Sequence, residues 1–416
     1  MQVIVVGAGI TGLAAAEWLR RDGHAVTLID RVRPGDPEQA SYGNAGIISR
    51  SGIVPVSVPG LIWKAPGMLL DPDSPLYLRW SYLPRLMPWL VRFLWNGRRA
   101  KVEEIARGMA GLIGDSVEQH RALARGTPAE RFIERGEYVF LYPDRKTFEG
   151  DAFGFGLRRA HGVTWEEWDR ARLVERDPEL APEFGFGVAV SSGGYLSAPG
   201  PYVAALGEHF IAEGGIFLQG EVAEISPTGD GRGAVTLAGG ARREADRVVL
   251  AAGAWSGRLA RLLGHEARLE AERGYHLVLK NPSHRPPSPY AFVAAKLVVT
   301  PMEDGLRFAG LVDFSGLDGP ALKAPLDGIR KRVLQLYPRL RWEGEETWMG
   351  RRPSTVDSLP LLGPSPKAPA IHFAFGGQHL GLSMGPRLGR MTADLIAGRK
   401  PNIDITPYRV DRFDRR

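Results

Sequence analysis

The sequence predicts a two-part α/β fold, one part built on a parallel sheet and the other on an antiparallel sheet with extra helices, α+β in its overall mix. Three observations predict it. A strand, a glycine turn, a helix and a second strand fill the first thirty residues. Another strand, glycine turn and helix stand at 370–397. Between them, short apolar strands alternate with helical stretches, the pattern of a layered α/β architecture.

Residues 2–6 (QVIVV) are a β-branched run, the mark of a strand buried on both faces. Gly7-Ala8-Gly9-Ile10-Thr11-Gly12 follows, and 13–21 (LAAAEWLRR) reads as a helix that Gly23 ends. Residues 25–29 (AVTLI) make the second strand, which finishes at Asp30. Residues 31–60 are rich in Gly, Pro and Ser and read as loop. Residues 61–130 are mostly helical by pattern, with Pro84 and Pro88 expected to break any long helix. Residues 131–195 carry short strands (EYVFLYP, GVAVSSGGYL). A helix at 199–213, a strand at 216–226 and a hairpin at 233–250 come next. Further strands are expected within 268–312 (RGYHLVL, KLVVTP, LRFAGLV), and a helix at 325–337. Strand 370–376, a glycine turn and helix 384–397 follow.

The Gly7/Gly9/Gly12 spacing is the dinucleotide fingerprint of a Rossmann-type layer. Gly7 permits the tight turn, Gly9 lets backbone approach a pyrophosphate, and Gly12 lets helix and strand pack closely. The helix start offers N–H donors and a positive dipole to phosphate. Asp30, ending the second strand, is placed to accept from a ribose hydroxyl. A ligand-free tight turn is the plain alternative, but the strand before, the helix after and the acid beyond all favour a nucleotide. The fingerprint does not choose between NAD and FAD. Strand-turn-helix at both ends of the sequence suggests one discontinuous nucleotide-binding part, 1–60 with 196–265 and 345–416. Residues 61–195 and 266–344 are then the substrate part or cap.

Composition narrows the partners. The formal charge of +6 is interleaved along the chain, so a nucleic-acid partner is not expected. With no cysteine, disulfides, iron–sulfur clusters and zinc–cysteine sites are excluded. The nine histidines show no metal-ligand spacing, and no metal is expected. No signal-peptide pattern and no run of ~18 apolar residues are visible, so a cytoplasmic protein is expected. Residues 76–99 combine Trp80, Trp89 and Trp95 with Arg79, Arg85, Arg92, Arg98 and Arg99. Such a stretch suits peripheral contact with the inner face of the membrane. A helical cap over the active site, with snorkelling arginines, is the slightly preferred reading.

Seven segments, in this order, carry a wider resemblance: VVGAGITGLAAAEWL, SYGNAGIIS, GEVAEI, VVLAAGAWS, ERGYHLVL, GRRPSTVDSLPLLGPS and FGGQHLGLSMGP. Together they resemble the D-amino-acid oxidase superfamily, and most narrowly its bacterial D-amino-acid dehydrogenase group, over nearly the whole chain. The resemblance implies FAD as the cofactor. It implies non-covalent FAD, because relatives with an attached flavin carry histidine where this chain has Asn44. It implies cofactor contacts at Gly7, Ala8, Gly9, Ile10, Thr11, Gly12, Asp30 and Arg31. In the second loop it implies Ser41, Asn44, Ala45 and Gly46, and further along Val222, Ala252, Gly253, Trp255 and Gly350. Gly376, Gly377, His379, Gly381, Leu382 and Ser383 would face the flavin's pyrimidine ring, where a helix N-terminus stabilises negative charge.

Arg352, in Gly350-Arg351-Arg352-Pro353, is similar to the arginine of the family's Gly-x-Arg-Pro, which grips the substrate carboxylate. A guanidinium fork suits a carboxylate by paired hydrogen bonds, so the implied catalysis is mostly orientation. Arg351 is the lesser candidate, its position being usually apolar in the family. Tyr275 and His276 are candidates to line the substrate pocket or to pack, and His379 to meet substrate or flavin O4. Two positions depart from relatives. Gly376-Gly377-Gln378-His379 stands where many read Gly-His-Gly-His, and Val298 replaces the carboxylate-binding tyrosine of glycine-oxidase-like enzymes.

The implied reaction is oxidation of a D-amino acid or cyclic imino acid, with hydride passing from Cα to flavin N5. The imine hydrolyses in water, and a quinone or carrier takes the electrons. Two other readings stand beside it. One is an O₂-using oxidase of the glycine or sarcosine oxidase type. The other is a non-enzymatic binding protein on the same fold.

Overall fold

The structure, a computed structural model, describes residues 1–70 and 76–414. Residues 71–75, part of the stretch expected to be helical, lie outside the described residues, as do 415 and 416. In chain order the first elements are β1 (Gln2–Val6), α1 (Ile10–Arg21), β2 (Ala25–Asp30) and β3 (Ile47–Ser49). Then come α2 (Leu61–Leu70), β4 (Leu76–Leu78), α3 (Leu83–Trp95), α4 (Arg99–Ile113) and α5 (Ser116–Ala124). After them lie β5 (Ile133–Tyr142), α6 (Arg145–Glu149), α7 (Ala152–Ala160), β6 (Glu166–Asp169), α8 (Arg170–Arg176) and β7 (Phe186–Leu196). The middle holds α9 (Pro199–Ala212), β8 (Ile216–Gln219), β9 (Val222–Pro227), β10 (Gly233–Leu237), β11 (Arg242–Ala245), β12 (Arg247–Leu250) and α10 (Ser256–Leu262). Next are β13 (Leu269–Lys280), β14 (Tyr290–Phe292), β15 (Leu297–Met302), β16 (Gly305–Phe314) and α11 (Ala324–Leu336). The last are β17 (Gly344–Thr355), β18 (Leu361–Ser365), β19 (Ala368–Phe375) and α12 (Gly381–Ile396).

The first sheet runs β18-β19-β12-β1-β2-β8, parallel except for β18. Its centre is β1, whose Val3, Val5 and Val6 are buried because neighbours flank it on both edges and both faces are covered. On one face lie α1, α9 and α12 with Leu13, Tyr202 and Leu388. Gly385 and Gly389 of α12 sit against Ile10 and Ala14, so the two helices touch almost backbone to backbone. On the other face, Ile4 and Val248 share a core with Ile225 and Val235 of a three-stranded sheet, β11-β10-β9.

The larger sheet runs β17-β13-β16-β15-β14-β5-β7-β3, with β4 and β6 added at β16 and β7. It is antiparallel along that path except where β14 pairs β5, and α11 covers part of it through Ile329 and Val333. β3 and β17 belong to this sheet, although both lie in segments read from sequence as nucleotide-binding.

Four local expectations change. The strand at 216–226 divides at Gly220, whose N–H donates to Asp30, into β8 of one sheet and β9 of another. The 233–250 hairpin continues past its second strand into β12 of the parallel sheet. The short strands of 131–195 are long ones, β5 with 10 residues and β7 with 11. Finally, α3 runs unbroken through Pro88. Pro84 sits in its first turn, where the missing N–H has no helical partner anyway. Pro88 forfeits one bond, and the burial of Leu86, Trp89 and Phe93 outweighs it. Among the described residues no helix is long and apolar enough to cross a membrane.

Candidate active site

The first glycine turn forms because β1 must reverse directly into α1. Gly7 has φ +109°, a region open to glycine, and its N–H donates to the Ile29 carbonyl at 2.8 Å. A Cβ at Gly12 would overlap the Gly7 carbonyl oxygen. Gly9, in contrast, meets only Ser41 Oγ at 3.4 Å. α1 carries no side-chain cap at Gly9, and the Ile10 N–H donates to Ser41 Oγ at 3.0 Å. Asp30 is drawn into the turn itself: Oδ2 accepts the Ala8 N–H at 2.6 Å and a Gln39 Nε2–H at 3.3 Å. Burial pushes its carboxyl above the ordinary range, against the donated backbone N–H groups of Ala8, Val32 and Arg31.

The second loop is held by the larger sheet through its carbonyls. His276 donates from Nδ1 to Gly43 O at 3.0 Å, Arg307 Nη1 donates to Asn44 O at 2.7 Å, and Thr300 Oγ1 donates to Ala45 O at 2.8 Å. Asn44 Oδ1 accepts the N–H of Gly46, which has φ +79°. His276 also stacks on Trp348, ring centroids 5.0 Å apart. A Cβ at Gly43 or Gly350 would enter the Trp348 ring, so both glycines make room for that indole. Burial pushes the His276 pKa down to about 3, which keeps the ring neutral.

Alternation on β13 puts Glu272, Gly274 and His276 on one face and Arg273 and Tyr275 on the other. Tyr275 is packed in the core beneath, its hydroxyl donating to Asp313 at 2.9 Å and accepting the Leu322 N–H. Glu272 pairs across the strands with Arg352 of β17, Oε1 to Nη1 2.8 Å, and its Oε2 accepts from Ser354 Oγ at 3.1 Å. Arg352 lies flat over Gly274, where any Cβ would strike the guanidinium. His379 stands near this pair. Burial lowers its pKa, Glu272 opposes that and Arg352 reinforces it.

The second glycine turn joins β19 to α12. Gly376 has φ +93° and Gln378, a non-glycine residue, has φ +50°. α12 has no side-chain cap, a Cβ at Gly381 would meet open space, and Ser383 Oγ donates to Ile47 O at 3.0 Å. Buried Gln378 Nε2 and His379 Nδ1 have no hydrogen-bond partner among the described residues. Val222 starts β9, and Trp255 is faced by two guanidiniums, Arg31 at 4.2 Å and Arg351 at 5.6 Å from its ring centroid.

One cavity of about 1100 Å³ unites these pieces. Of the cofactor- and substrate-site candidates named from the sequence, all line it except Ala8, Gly12, Gly46 and His276. Its volume exceeds the ~300–1000 Å³ of a single small-ligand pocket, leaving room for a dinucleotide and a second molecule. A family model for FAD-dependent oxidoreductases (DAO) matches residues 2–395. The chain belongs to this family, and its cofactor is FAD. A D-amino-acid oxidase from Bradyrhizobium diazoefficiens is 38% identical, covering 99% of this chain and 98% of its own. A D-amino acid dehydrogenase from the same organism is 29% identical over 100% of both chains. Among solved structures, iminodiacetate oxidase from Chelativorans sp. BNC1 (TM-score 0.73, 20% identity, 98% of both chains) shares the fold. So does glycine oxidase from Geobacillus kaustophilus (0.73, 20%, 99% of this chain and 98% of its own).

Sequence reasoning missed Glu272, Trp348, Thr300 and Arg307. For Glu272 a signal existed: it shares the strand face of Gly274, two residues away, in a segment already singled out. Trp348, Thr300 and Arg307 take their meaning from strand pairing alone.

Proposed function

We propose that the protein oxidises a D-amino acid or cyclic imino acid to its imine, which water then hydrolyses. The observation that carries this is the Arg352–Glu272 pair beside His379, in the wall of the cavity that both glycine turns enter. These turns fit FAD: two helix N-termini whose N-cap residues make no side-chain bond, and two buried nitrogens without a partner among the described residues, face a cavity with space at Gly9 and Gly381. FAD held there would supply the acceptor for the hydride lost from the substrate Cα. Asn44 offers no attachment point and no cysteine is present, in keeping with non-covalent FAD.

The chain's own residues bind and orient. Arg352 takes the substrate carboxylate on the guanidinium edge that Glu272 leaves free, and Glu272 holds that guanidinium in one orientation. His379, neutral through burial, offers a hydrogen bond without placing a second charge beside the substrate amine. His276 and Tyr275 act as positioning groups, the first through the Gly43 carbonyl and the second through Asp313. The substrate amine loses its proton to solvent, and no protein base is assigned.

A quinone or carrier is the proposed electron acceptor. Trp63, Trp80 and Trp95 of the α2–α3 region are 86%, 58% and 61% exposed, whereas Trp89 is buried. Residues 50–101 hold eight Lys or Arg against two Asp, which equals the whole +6 of the chain. Exposed tryptophan with excess cation suits peripheral contact with an anionic membrane surface. Flotation with phosphatidylglycerol vesicles, compared with neutral ones, tests it. The O₂-using reading is favoured by the relative named D-amino-acid oxidase. Val298, lining the cavity, still counts against a glycine-oxidase type.

The deciding experiment is anaerobic bleaching of the flavin band by D-alanine, D-proline, cis-4-hydroxy-D-proline, sarcosine and glycine. Bleaching by a D-amino or cyclic imino acid is expected. Readmitted air then separates the acceptors, since peroxide marks the oxidase. A yellow protein bleached by none of them overturns the substrate class.

A further inference from the structure

The charged pair has an apolar neighbour. α3 and the residues flanking it are fastened beside it by three hydrogen bonds, to β13, to β17 and to the residue just after β17. Trp89 Nε1 donates to Ser354 O at 3.1 Å, Asn96 Nδ2 to Val356 O at 2.9 Å, and the Tyr82 hydroxyl just before α3 donates to Glu270 at 3.0 Å. Ser354 is two residues from Arg352 and bonds Glu272 itself. Trp89 stacks on Phe93 at 4.7 Å and meets Phe314 at 5.6 Å. From this anchored helix Leu90, Phe93 and Leu94 face the cavity, and Leu61, Ala65 and Met68 of α2 face it alongside. Among the described residues, α2 and α3 contribute no charged or polar side chain to that wall. The cavity's charges come from other segments.

We propose that the α2–α3 wall seats the side chain of the substrate, and that the enzyme prefers D-amino acids with large apolar side chains, such as D-leucine, D-methionine and D-phenylalanine. The inference rests on the reading of Arg352 as the carboxylate anchor. With the carboxylate held there, the side chain has the adjoining wall to fill. Each buried methylene contributes about fourfold in affinity. D-Leucine, with three more carbons than D-alanine, gains at least about tenfold in kcat/KM on that scale. D-Glutamate would place a carboxylate against the same wall and lose its hydration without a partner.

The test is the rate of anaerobic flavin reduction by D-alanine, D-leucine, D-phenylalanine and D-glutamate, in wild type, Met68→Ala and Leu94→Ala. Expected are a D-leucine to D-alanine ratio of roughly 10 or more and D-glutamate slower than D-alanine. A fall in that ratio of about fourfold or more is expected in each variant. The flavin spectrum reports intact folding. Should either variant fail to fold, the wild-type ratios and the other variant decide. D-Alanine or D-glutamate equal to D-leucine, or ratios unmoved by both variants, overturns the inference while leaving D-amino-acid oxidation standing. Bleaching by no D-amino acid overturns both.

Discussion

The two ends of the cavity are built on opposite rules. At the fingerprint end, backbone groups are held by side chains: Asp30 holds Ala8, Ser41 holds Ile10, and three carbonyls of the second loop are held from the larger sheet. At the other end, Gln378 and His379 carry buried unpaired nitrogens, and Gln378 sits at φ +50°. Native proteins leave few such groups, and a non-glycine residue there stores strain. The difference teaches where each component of recognition resides. The fingerprint end is a finished cradle that presents backbone N–H groups to a ligand. The far end holds two buried nitrogens that have no partner among the described residues.

Substitutions sharpen that contrast, the largest effect first. Gly12→Val should abolish flavin binding, because its side chain has no space against the Gly7 carbonyl; a purified colourless protein is the readout. Arg352→Ala should keep the flavin but lower kcat/KM by roughly 10²–10³-fold, as expected for truncating one partner of a desolvated charge pair. It also strands Glu272. Arg352→Ala with Glu272→Gln should therefore regain thermal stability without regaining rate.

Acid should loosen the whole frame. Burial lowers the pKa values of His120, His276 and His372 to about 4, 3 and 4. Each is neutral when folded but takes up a proton near its ordinary value of ~6.5 when unfolded. Their contribution is thus complete above about pH 7 and is lost as pH falls from about 6.5 towards 4. Thermal melts at pH 7.5 and 5.5 should show the lower Tm at the lower pH, and a Tm independent of pH across that range would refute the assignment.

His276→Ala is a smaller and more discriminating change. It leaves the Gly43 carbonyl without its donor, at a cost of about 1–3 kcal/mol. Flavin affinity should weaken about tenfold while the KM for the D-amino acid stays put. A collapse of kcat with flavin fully retained would instead move His276 to the substrate end. Smallest of all, exposed Arg92→Gln should alter stability by no more than about 0.5 kcal/mol, yet reduce binding to phosphatidylglycerol vesicles.

What the sequence made legible was local. QVIVV, the glycine spacing and Asp30 lie within thirty residues, so periodicity and turn chemistry reveal β1, α1 and β2 without any partner. Even there, Asp30 was expected to face ribose, whereas its oxygens also tie down Ala8 and Gln39. Arg352 was found through its four-residue motif, but its pairing with Glu272 depends on β13 meeting β17 across eighty positions. The break at Gly220 escaped notice because both halves of 216–226 look like strand, and only the choice of sheet divides them. Pro88 misled for a related reason: its local cost is real, and burial elsewhere on α3 covers it.

The order of strands in the parallel sheet also has a consequence for how the protein is made. β1 leaves the ribosome about 240 residues before its neighbour β12, and α12, against which α1 rests, is complete only some 390 residues after β1, at Ile396. At ~5–20 residues per second, translation takes roughly 20–80 s to cover that distance. Throughout this interval Val3, Val5 and the apolar flank of α1 lack their final partners, which makes the nascent chain a client for holding chaperones. Flavin capture is therefore a late event of biogenesis, after synthesis has delivered α12.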